Sequence, residues 1–239
     1  MKLDILSFAA HPDDVELSCA GTLLKHIAAG KKTGIIDLTR GEMGTRGNAE
    51  TRAQEAADAA RIMGLHVREN LGMEDCFFGD TSENRLAIIR MIRKYRPETV
   101  LANALSDRHP DHGRAAALVA DACFYAGLSK IETTVDGVKL EPWRPKNVFH
   151  YIQDHYLKPD FVIDISGFME KKMEVISAYK SQFYNPNDSS GPQTAISTKE
   201  FWEFLSARAA DMGRLIHTKY GEGFNTIRIH GVNSFADLL

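Results

Sequence analysis

Residues 3–14 read LDILSFAAHPDD, and this stretch determines the fold predicted for the chain. An apolar run gives way at residues 11–14 to one imidazole and two carboxylates, where a buried strand is expected to pass into a helix. Residues 99–112, TVLANALSDRHPDH, repeat the arrangement with a second apolar run and a second His/Asp cluster. Ligand crevices of open α/β sheets lie at the carboxyl ends of the strands, so the two clusters are predicted to form one site.

Strand and helix patterns alternate over the first 125 residues, which is typical of a mostly parallel sheet with right-handed crossovers. The later part is less regular. We expect an α/β fold in one domain, residues 1–239, with a Rossmann-like sheet, helices on both faces and a C-terminal third that elaborates the active-site rim. The predicted strands cover residues 3–10, 33–39, 66–71, 99–104, 147–152, 160–165 and 224–229. Late helices are predicted over 167–182 and 197–218, and a loop over 184–193.

The composition restricts the class of partner. With 29 basic and 32 acidic residues the net charge is -3, and no long run of either sign occurs. This balance argues against a nucleic-acid partner and against a membrane surface, and favours a small molecule. Cys19, Cys76 and Cys123 form no C-x-x-C pair, which is typical of a reducing compartment. No apolar run approaches the roughly 20 residues of a membrane span, so we expect a cytoplasmic globular protein.

The two clusters contain the residue types of a catalytic metal site. Catalytic zinc commonly takes three ligands from His and Asp/Glu and keeps one position open for water. His11 and Asp14 lie three residues apart at a strand-to-helix junction, and His112 would complete a set of two imidazoles and one carboxylate. A water on such a metal has its pKa lowered to about 7. Either cluster alone could instead be a surface or capping pair of His and Asp.

Other residues of the clusters are candidates for proton transfer. Asp13 could take a proton from the metal-bound water as general base, although an acidic residue at a helix start also interacts favourably with the helix dipole. His109, oriented by Asp111, could hold an oxyanion and protonate a leaving amine. The alternative for His109 is a further ligand or a packed loop residue.

Three arginines and one further acid lie near the predicted strand ends. Arg46, Arg52 and Arg108 carry guanidinium groups, which suit the recognition of carboxylate or phosphate. For Arg46 a solvated surface position is an equally good interpretation. Asp75 follows the third predicted strand and could accept a hydrogen bond from a sugar hydroxyl.

In these motifs the chain resembles the PIG-L/LmbE superfamily of zinc-dependent N-acetylglucosaminide deacetylases. The family pattern His-Pro-Asp-Asp-x-Glu is matched by residues 11–16, and His-Pro-Asp-His by residues 109–112. Further segments resemble the bacillithiol-biosynthesis branch, whose members remove the acetyl group from N-acetylglucosaminyl malate. These segments are residues 39–47, 107–112, 179–183 and 222–224.

The resemblance implies roles for individual residues and a cofactor. The cofactor would be Zn²⁺, with Fe²⁺ as an alternative, and relatives are often hexamers. Mycothiol members of the superfamily place a catalytic tyrosine where this chain has Asp107. The implied roles are zinc ligands for His11, Asp14 and His112, general base for Asp13, oxyanion partner and general acid for His109 paired with Asp111, and sugar contacts for Arg52 and Asp75.

The function expected from these observations is metal-dependent hydrolysis of an N-acetyl group, on a small anionic substrate such as N-acetylglucosaminyl malate. Arg52 or Arg108 would neutralise the carboxylates of that substrate. Three alternatives remain: a deacetylase of another N-acetylglucosamine conjugate, a non-haem Fe(II) enzyme that uses the same two-His-one-carboxylate set, and a non-catalytic Rossmann-like binding module. The Gly-x-Gly-x-x-Gly fingerprint of a dinucleotide binder is absent after the first predicted strand.

Overall fold

A computed structural model describes residues 1–185 and 191–235. Within these residues the strands are β1 (Ile5–Ala9), β2 (Thr33–Thr39), β3 (Val67–Met73), β4 (Thr99–Ala102), β5 (Thr134–Val135), β6 (Val138–Lys139), β7 (Asn147–Tyr151), β8 (Phe161–Asp164) and β9 (Gly221–Thr226). The helices are α1 (Asp14–Ala28), α2 (Ala49–Met63), α3 (Ser82–Tyr95), α4 (Pro110–Tyr125), α5 (Met169–Ile176) and α6 (Lys199–Arg214). None of these helices is long and apolar enough to cross a membrane.

Seven of the described strands form one sheet in the order β3-β2-β1-β4-β7-β9-β8, and β5 and β6 make a separate hairpin. β1 pairs in parallel with β2 on one side and with β4 on the other, and β3 and β7 extend the parallel part. β9 runs antiparallel to both β7 and β8. The predicted α/β fold with a mostly parallel sheet is therefore confirmed.

The direction of winding reverses at β1. The chain first adds β2 and β3 on one side of β1, and then returns to add β4 and β7 on the other. Such a reversal opens a crevice beyond the carboxyl ends of the two strands that flank it. His11 follows β1 and residues 107–112 follow β4, so both His/Asp clusters lie at this crevice.

Helices cover both faces of the sheet, and for that reason β1 and β2 are buried along their entire lengths. Side chains of a strand point alternately to the two faces. Leu6 and Phe8 pack into one core together with Ile89 of α3. Ile5 packs into the opposite core together with Leu23 of α1. This packing fixes the end of β1 between two cores.

The C-terminal third differs in detail from the prediction. The helix predicted over 167–182 ends at Ile176, where the Ser177 hydroxyl donates to the carbonyl of Met173 at 2.7 Å. Serine hydroxyls compete in this way with regular backbone bonding. The last strand begins at Gly221 and ends at Thr226, earlier than predicted. Of the loop predicted over 184–193, residues 186–190 lie outside the described residues.

Helix α1 is interrupted by a kink at Cys19, whose φ of -142° is not helical. Two backbone amides just after the kink are bound by a buried carboxylate: Glu222 of β9 accepts from Gly21 at 3.0 Å and from Thr22 at 2.7 Å. The ammonium group of Lys172 in α5 donates to the same carboxylate at 2.6 Å. A Cβ at Gly21 would lie 3.0 Å from Glu222 Oε1, so glycine allows this close approach. Glu222 thus connects α1, α5 and β9.

We predict that Glu222→Ala lowers the free energy of unfolding by about 3–5 kcal/mol, because it leaves a buried ammonium without its partner and two amides without an acceptor. Lys172→Met is the matched control and should cost less, since the Glu222 carboxylate keeps both amide donors. Urea unfolding of the two variants measures the difference. Equal costs for the two substitutions would contradict the capping role of Glu222.

Candidate metal centre and active site

A cavity of about 270 Å³ lies at the carboxyl ends of β1 and β4. All but one of the site residues predicted from the sequence are found in its lining, the exception being Asp111, which contacts the lining residue His11. The cavity is also lined by residues of α6 and of the loop between β2 and α2. The predicted residues in the lining are His11, Asp13, Asp14, Arg52, Asp75, Arg108, His109 and His112.

The structure brings His11, Asp14 and His112 together. Asp14 begins α1, and its Oδ2 accepts from the backbone amide of His11 at 2.9 Å, which ties the end of β1 to the helix start. The same oxygen lies 3.7 Å from Nδ1 of His11, and Oδ1 lies 3.0 Å from Nε2 of His112. The ring centroids of His11 and His112 are 5.6 Å apart.

Two buried amide side chains that the sequence analysis missed also hold Asp14. Asn103, which follows β4, donates to Oδ2 at 3.0 Å, and Gln153, which follows β7, donates to Oδ1 at 3.1 Å. Asn103 also donates to Oε1 of Gln153 at 3.0 Å, so the two amides orient each other. A polar residue at the end of an apolar strand was the signal available for both, since Asn103 lies at the end of the strand predicted over 99–104 and Gln153 directly follows the strand predicted over 147–152.

His112 is oriented by a second carboxylate. Its Nδ1 lies 2.5 Å from Oδ2 of Asp107, and this leaves Nε2 facing Asp14. Asp107 is fixed in turn, because its Oδ1 accepts from the backbone amide of His155 at 2.7 Å. A carboxylate on one ring nitrogen sets the tautomer of a metal-binding histidine and makes the other nitrogen a better ligand. Sequence reasoning did not assign this task to Asp107.

Within the described residues, two groups of three side chains bring their ligand atoms within 4.8 Å of one another. One group is His11, His109 and His112, and the other is His11, Asp75 and Asp111. His11 belongs to both groups and contacts Asp14 as well. Imidazole nitrogen and carboxylate oxygen are ligands that zinc and iron accept, so the donor set around His11 fits such a divalent metal.

The charges of the cluster shift the pKa values of its members. Burial alone would lower the pKa of His11, but hydrogen bonds to Asp111 and Asp75 outweigh it and raise the pKa to about 10. Burial also opposes the charged form of His112, whereas the negative charge of Asp14 raises that pKa to about 9. For Asp14, burial is outweighed by the positive charge of His112, so its pKa falls below the ordinary range. Asp14 is therefore held as a carboxylate.

Asp13 combines backbone strain with an arginine partner. Its φ of 116° lies in the left-handed region, which costs energy for a residue with a side chain. The guanidinium of Arg52 donates to Oδ2 of Asp13 at 3.0 Å and to the carbonyls of Pro12 and Gly41. Burial raises the pKa of Asp13 to about 7, although the charge of Arg52 opposes this rise. A carboxylate with such a pKa can both accept and release a proton near neutral pH.

The structure corrects the predicted side-chain pair of His109 and Asp111. His109 is the N-cap of α4, and its Nδ1 accepts from the backbone amide of Asp111 at 3.3 Å. The carboxylate of Asp111 instead accepts from Arg114 at 2.6 Å and from the amide of Cys76 at 3.1 Å. Burial lowers the pKa of His109, and the charge of His11 lowers it further. A neutral His109 with Nδ1 as acceptor carries its proton on Nε2.

The predicted sugar and carboxylate contacts have protein partners in this structure. Arg52 lines the cavity, but its guanidinium contacts Asp13 and two carbonyls. Asp75 is buried between His11 and the backbone of Met43. Arg108 lies at the exposed rim and pairs with Asp154 at 2.7 Å. Direct contact of these three residues with a substrate stays a prediction.

Comparison with known proteins shows what this chain is similar to. Residues 6–123 match the family described as PIG-L: GlcNAc-PI de-N-acetylase. The diacetylchitobiose deacetylase of Thermococcus kodakarensis is 30% identical over 235 residues, which cover 93% of this chain and 82% of the relative. A probable N-acetyl-alpha-D-glucosaminyl L-malate deacetylase 2 of Bacillus anthracis is 25% identical over 198 residues, covering 75% and 81% of the two chains.

A solved structure matches nearly the whole fold. The conserved protein TT1542 from Thermus thermophilus superposes with a TM-score of 0.84 at 38% sequence identity. The match covers 97% of this chain and 98% of that protein. The overall fold, including the C-terminal third, is thus similar to that of this relative.

We predict that metal binding at pH 8 releases about two protons, because a ring nitrogen must be deprotonated to bind a metal. His11 and His112, with pKa values of about 10 and about 9, are both protonated at that pH in the metal-free protein. The release should fall as the pH rises through 9 and 10, and the apparent affinity should rise over the same range. Calorimetry in buffers of different ionisation enthalpy counts the protons.

The matched control for this measurement is His112→Ala, which should release about one proton fewer than the wild-type protein. Release close to zero at pH 8 in the wild-type protein would contradict this prediction, because it would show that the two imidazoles lose no proton when the metal binds.

Proposed function

The chain belongs to the PIG-L family of de-N-acetylases, and from the geometry of its site we propose that it hydrolyses the N-acetyl group of an N-acetylglucosamine conjugate with the help of a bound divalent cation. The activity class, hydrolysis of an amide-linked acetyl group, follows from the family and from the relative in Thermococcus kodakarensis. The residues, the metal and the conjugate are the parts that we propose.

One observation supports the proposal above all others. Two clusters separated by about ninety residues of chain converge so that His11, Asp14 and His112 lie against one another in the wall of a single cavity. Asp13 and His109 line the same cavity. A metal site with a neighbouring carboxylate and a neighbouring imidazole is an arrangement that suits hydrolysis of an amide.

We assign the metal to His11, Asp14 and His112, and zinc is the metal that this donor set suits best, with Fe²⁺ as the alternative. When bound, the metal supplies a water of lowered pKa and polarises the acetyl carbonyl. Asp107 on His112 and Asp75 on His11 already hold the two rings in one orientation. Asn103 and Gln153 do the same for Asp14.

Asp13 is proposed as the general base. Its carboxylate takes a proton from the attacking water as the oxygen of that water bonds to the acetyl carbon. The pKa of about 7 in the metal-free protein leaves Asp13 able to hold that proton and then to pass it to the leaving nitrogen. Cleavage of the C–N bond then yields acetate and a free amine. Arg52 keeps the carboxylate aimed into the cavity during these steps.

His109 is proposed as the hydrogen-bond donor to the oxyanion. The backbone amide of Asp111 occupies its Nδ1, so the Nε2–H group is free to face the developing negative charge. The general-acid role implied by the family resemblance needs an imidazolium. Burial and the charge of His11 lower the pKa of His109 and so favour its neutral form, and we therefore propose that Asp13 delivers the proton to the amine.

Two arginines of the cavity lining favour an anionic conjugate, and N-acetylglucosaminyl malate is our specific proposal. Arg46 donates to the carbonyls of Ser181 and Pro192, and Arg208 of α6 donates to the carbonyls of Gln153 and Leu17. Neither guanidinium forms an ion pair with a carboxylate within the described part of the chain. Guanidinium groups that line a cavity without a direct ion pair suit a substrate that brings carboxylates.

The compartment is part of the proposal as well. Cys19, Cys76 and Cys123 are all free thiols in the structure, and two of them are buried. Free thiols are typical of a reducing compartment, so we propose a cytoplasmic location, where an anionic small-molecule conjugate would be available.

We predict that Asp13→Asn lowers kcat by about 10²–10⁴-fold, because the amide cannot accept the proton of the water. The metal content should stay at the wild-type value, since Asp13 is not a proposed ligand. Acetate release from N-acetylglucosamine conjugates, measured beside metal content by atomic absorption, tests both statements. Wild-type turnover in this variant would contradict the assignment of the base.

We also predict a higher kcat/KM for N-acetylglucosaminyl malate than for neutral diacetylchitobiose. Arg46→Gln should raise KM for the malate conjugate by about tenfold or more, which corresponds to the loss of one charged hydrogen bond. The neutral substrate serves as the control, because its KM should stay unchanged. A preference of the wild-type enzyme for diacetylchitobiose would refute the anionic substrate and leave the deacetylase activity intact.

A further inference from the structure

The two ring nitrogens of His11 face different groups. Nε2 lies 3.0 Å from Oδ1 of Asp75 and 3.3 Å from Oδ2 of Asp111, whereas Nδ1 faces Asp14 at 3.7 Å. Carboxylates accept hydrogen bonds, so a proton on Nε2 satisfies both neighbours. The lone pair of Nδ1 is then directed to the side where Asp14 and His112 lie.

Asp75 connects His11 to the cavity wall. Its second oxygen, Oδ2, accepts from the backbone amide of Met43 at 3.0 Å. Its own amide donates to Oε1 of Glu42 at 2.9 Å, and Oε2 of Glu42 accepts from the amide of Arg40 at 3.1 Å. These bonds close the loop between β2 and α2 onto Asp75, and Met43 and Gly44 of that loop line the cavity.

Both oxygens of Asp75 are therefore occupied by protein donors, and the side chain is only 4% exposed. Asp75 lines the cavity, and each carboxylate oxygen can accept more than one hydrogen bond, so a sugar contact would have to add to these bonds. The family resemblance implies such a sugar contact for Asp75, whereas the observed hydrogen bonds point to a further task, the orientation of His11.

We propose that Asp75 is a positioning residue. It orients His11 so that Nδ1 faces the metal, and it fixes the position of the loop between β2 and α2 relative to that ring. This inference rests on the proposed function only in taking His11 as a metal ligand. Carboxylates that bind the far nitrogen of a ligating histidine change metal affinity by about 10–100-fold when they are removed. Asp75 would act through His11 and through the loop, without touching the reacting atoms.

The test is the Zn²⁺ affinity of Asp75→Asn, measured by competition with a chelator on protein first freed of metal. An asparagine offers one acceptor oxygen where Asp75 uses two, so His11 or Met43 loses its partner. We expect the affinity to fall by about 10–100-fold. The matched control is Asp154→Asn, another carboxylate of the cavity lining, which pairs with Arg108 and should leave the affinity unchanged.

If Asp75 served only to bind the sugar, Asp75→Asn would leave the Zn²⁺ affinity unchanged and would raise the KM for the acetylated sugar. That result would overturn the proposal. The affinity measurement needs no turnover, so it decides the role of Asp75 even if the chain proves inactive on every acetylated sugar.

A second measurement uses the wild-type protein and is independent of the folding of any variant. Nitrogen-15 NMR of the histidine side chains should show His11 protonated at Nε2 and bound to Zn²⁺ through Nδ1. Coordination through Nε2 would displace the hydrogen bonds to Asp75 and Asp111, and it would overturn the proposal.

Discussion

The buried carboxylate of Asp14 joins the ends of three neighbouring parallel strands. It accepts from the amide of His11 after β1, from Asn103 after β4 and from Gln153 after β7, and it pairs with His112. A carboxylate removed from water is tolerated only when its oxygens are satisfied, so these partners must converge wherever Asp14 is buried. The burial of this one carboxylate thus depends on the convergence of the two His/Asp clusters beside the cavity.

Acidic and basic groups around the cavity contact one another in a network of pairs. Each carboxylate near the proposed metal holds an imidazole or a guanidinium, and these pairs fix the direction in which the catalytic groups point. Two arginines, Arg46 and Arg208, remain outside this scheme and face the cavity with carbonyl partners only among the described residues. The pairs are Asp107 with His112, Asp75 with His11, Asp13 with Arg52, and Asp154 with Arg108.

Much of the site could be predicted from the sequence, because its main residues directly follow apolar strands and the carboxyl ends of parallel strands meet at one edge. Partners that come from distant parts of the chain gave no local signal. Arg208 reaches the site only through the packing of α6, and Glu222 reaches the kink of α1 through β9. The pairing of His109 with Asp111 was expected from adjacency, but the N-cap geometry turns the carboxylate toward Arg114.

The central claim is that one divalent metal binds between the ends of β1 and β4. Anomalous diffraction at the zinc edge, from crystals of protein loaded with one equivalent of Zn²⁺, tests it most directly. The account predicts a single peak about 2.0–2.2 Å from His11, Asp14 and His112. A peak bound instead by His11, Asp75 and Asp111, or no peak in the cavity, would contradict it.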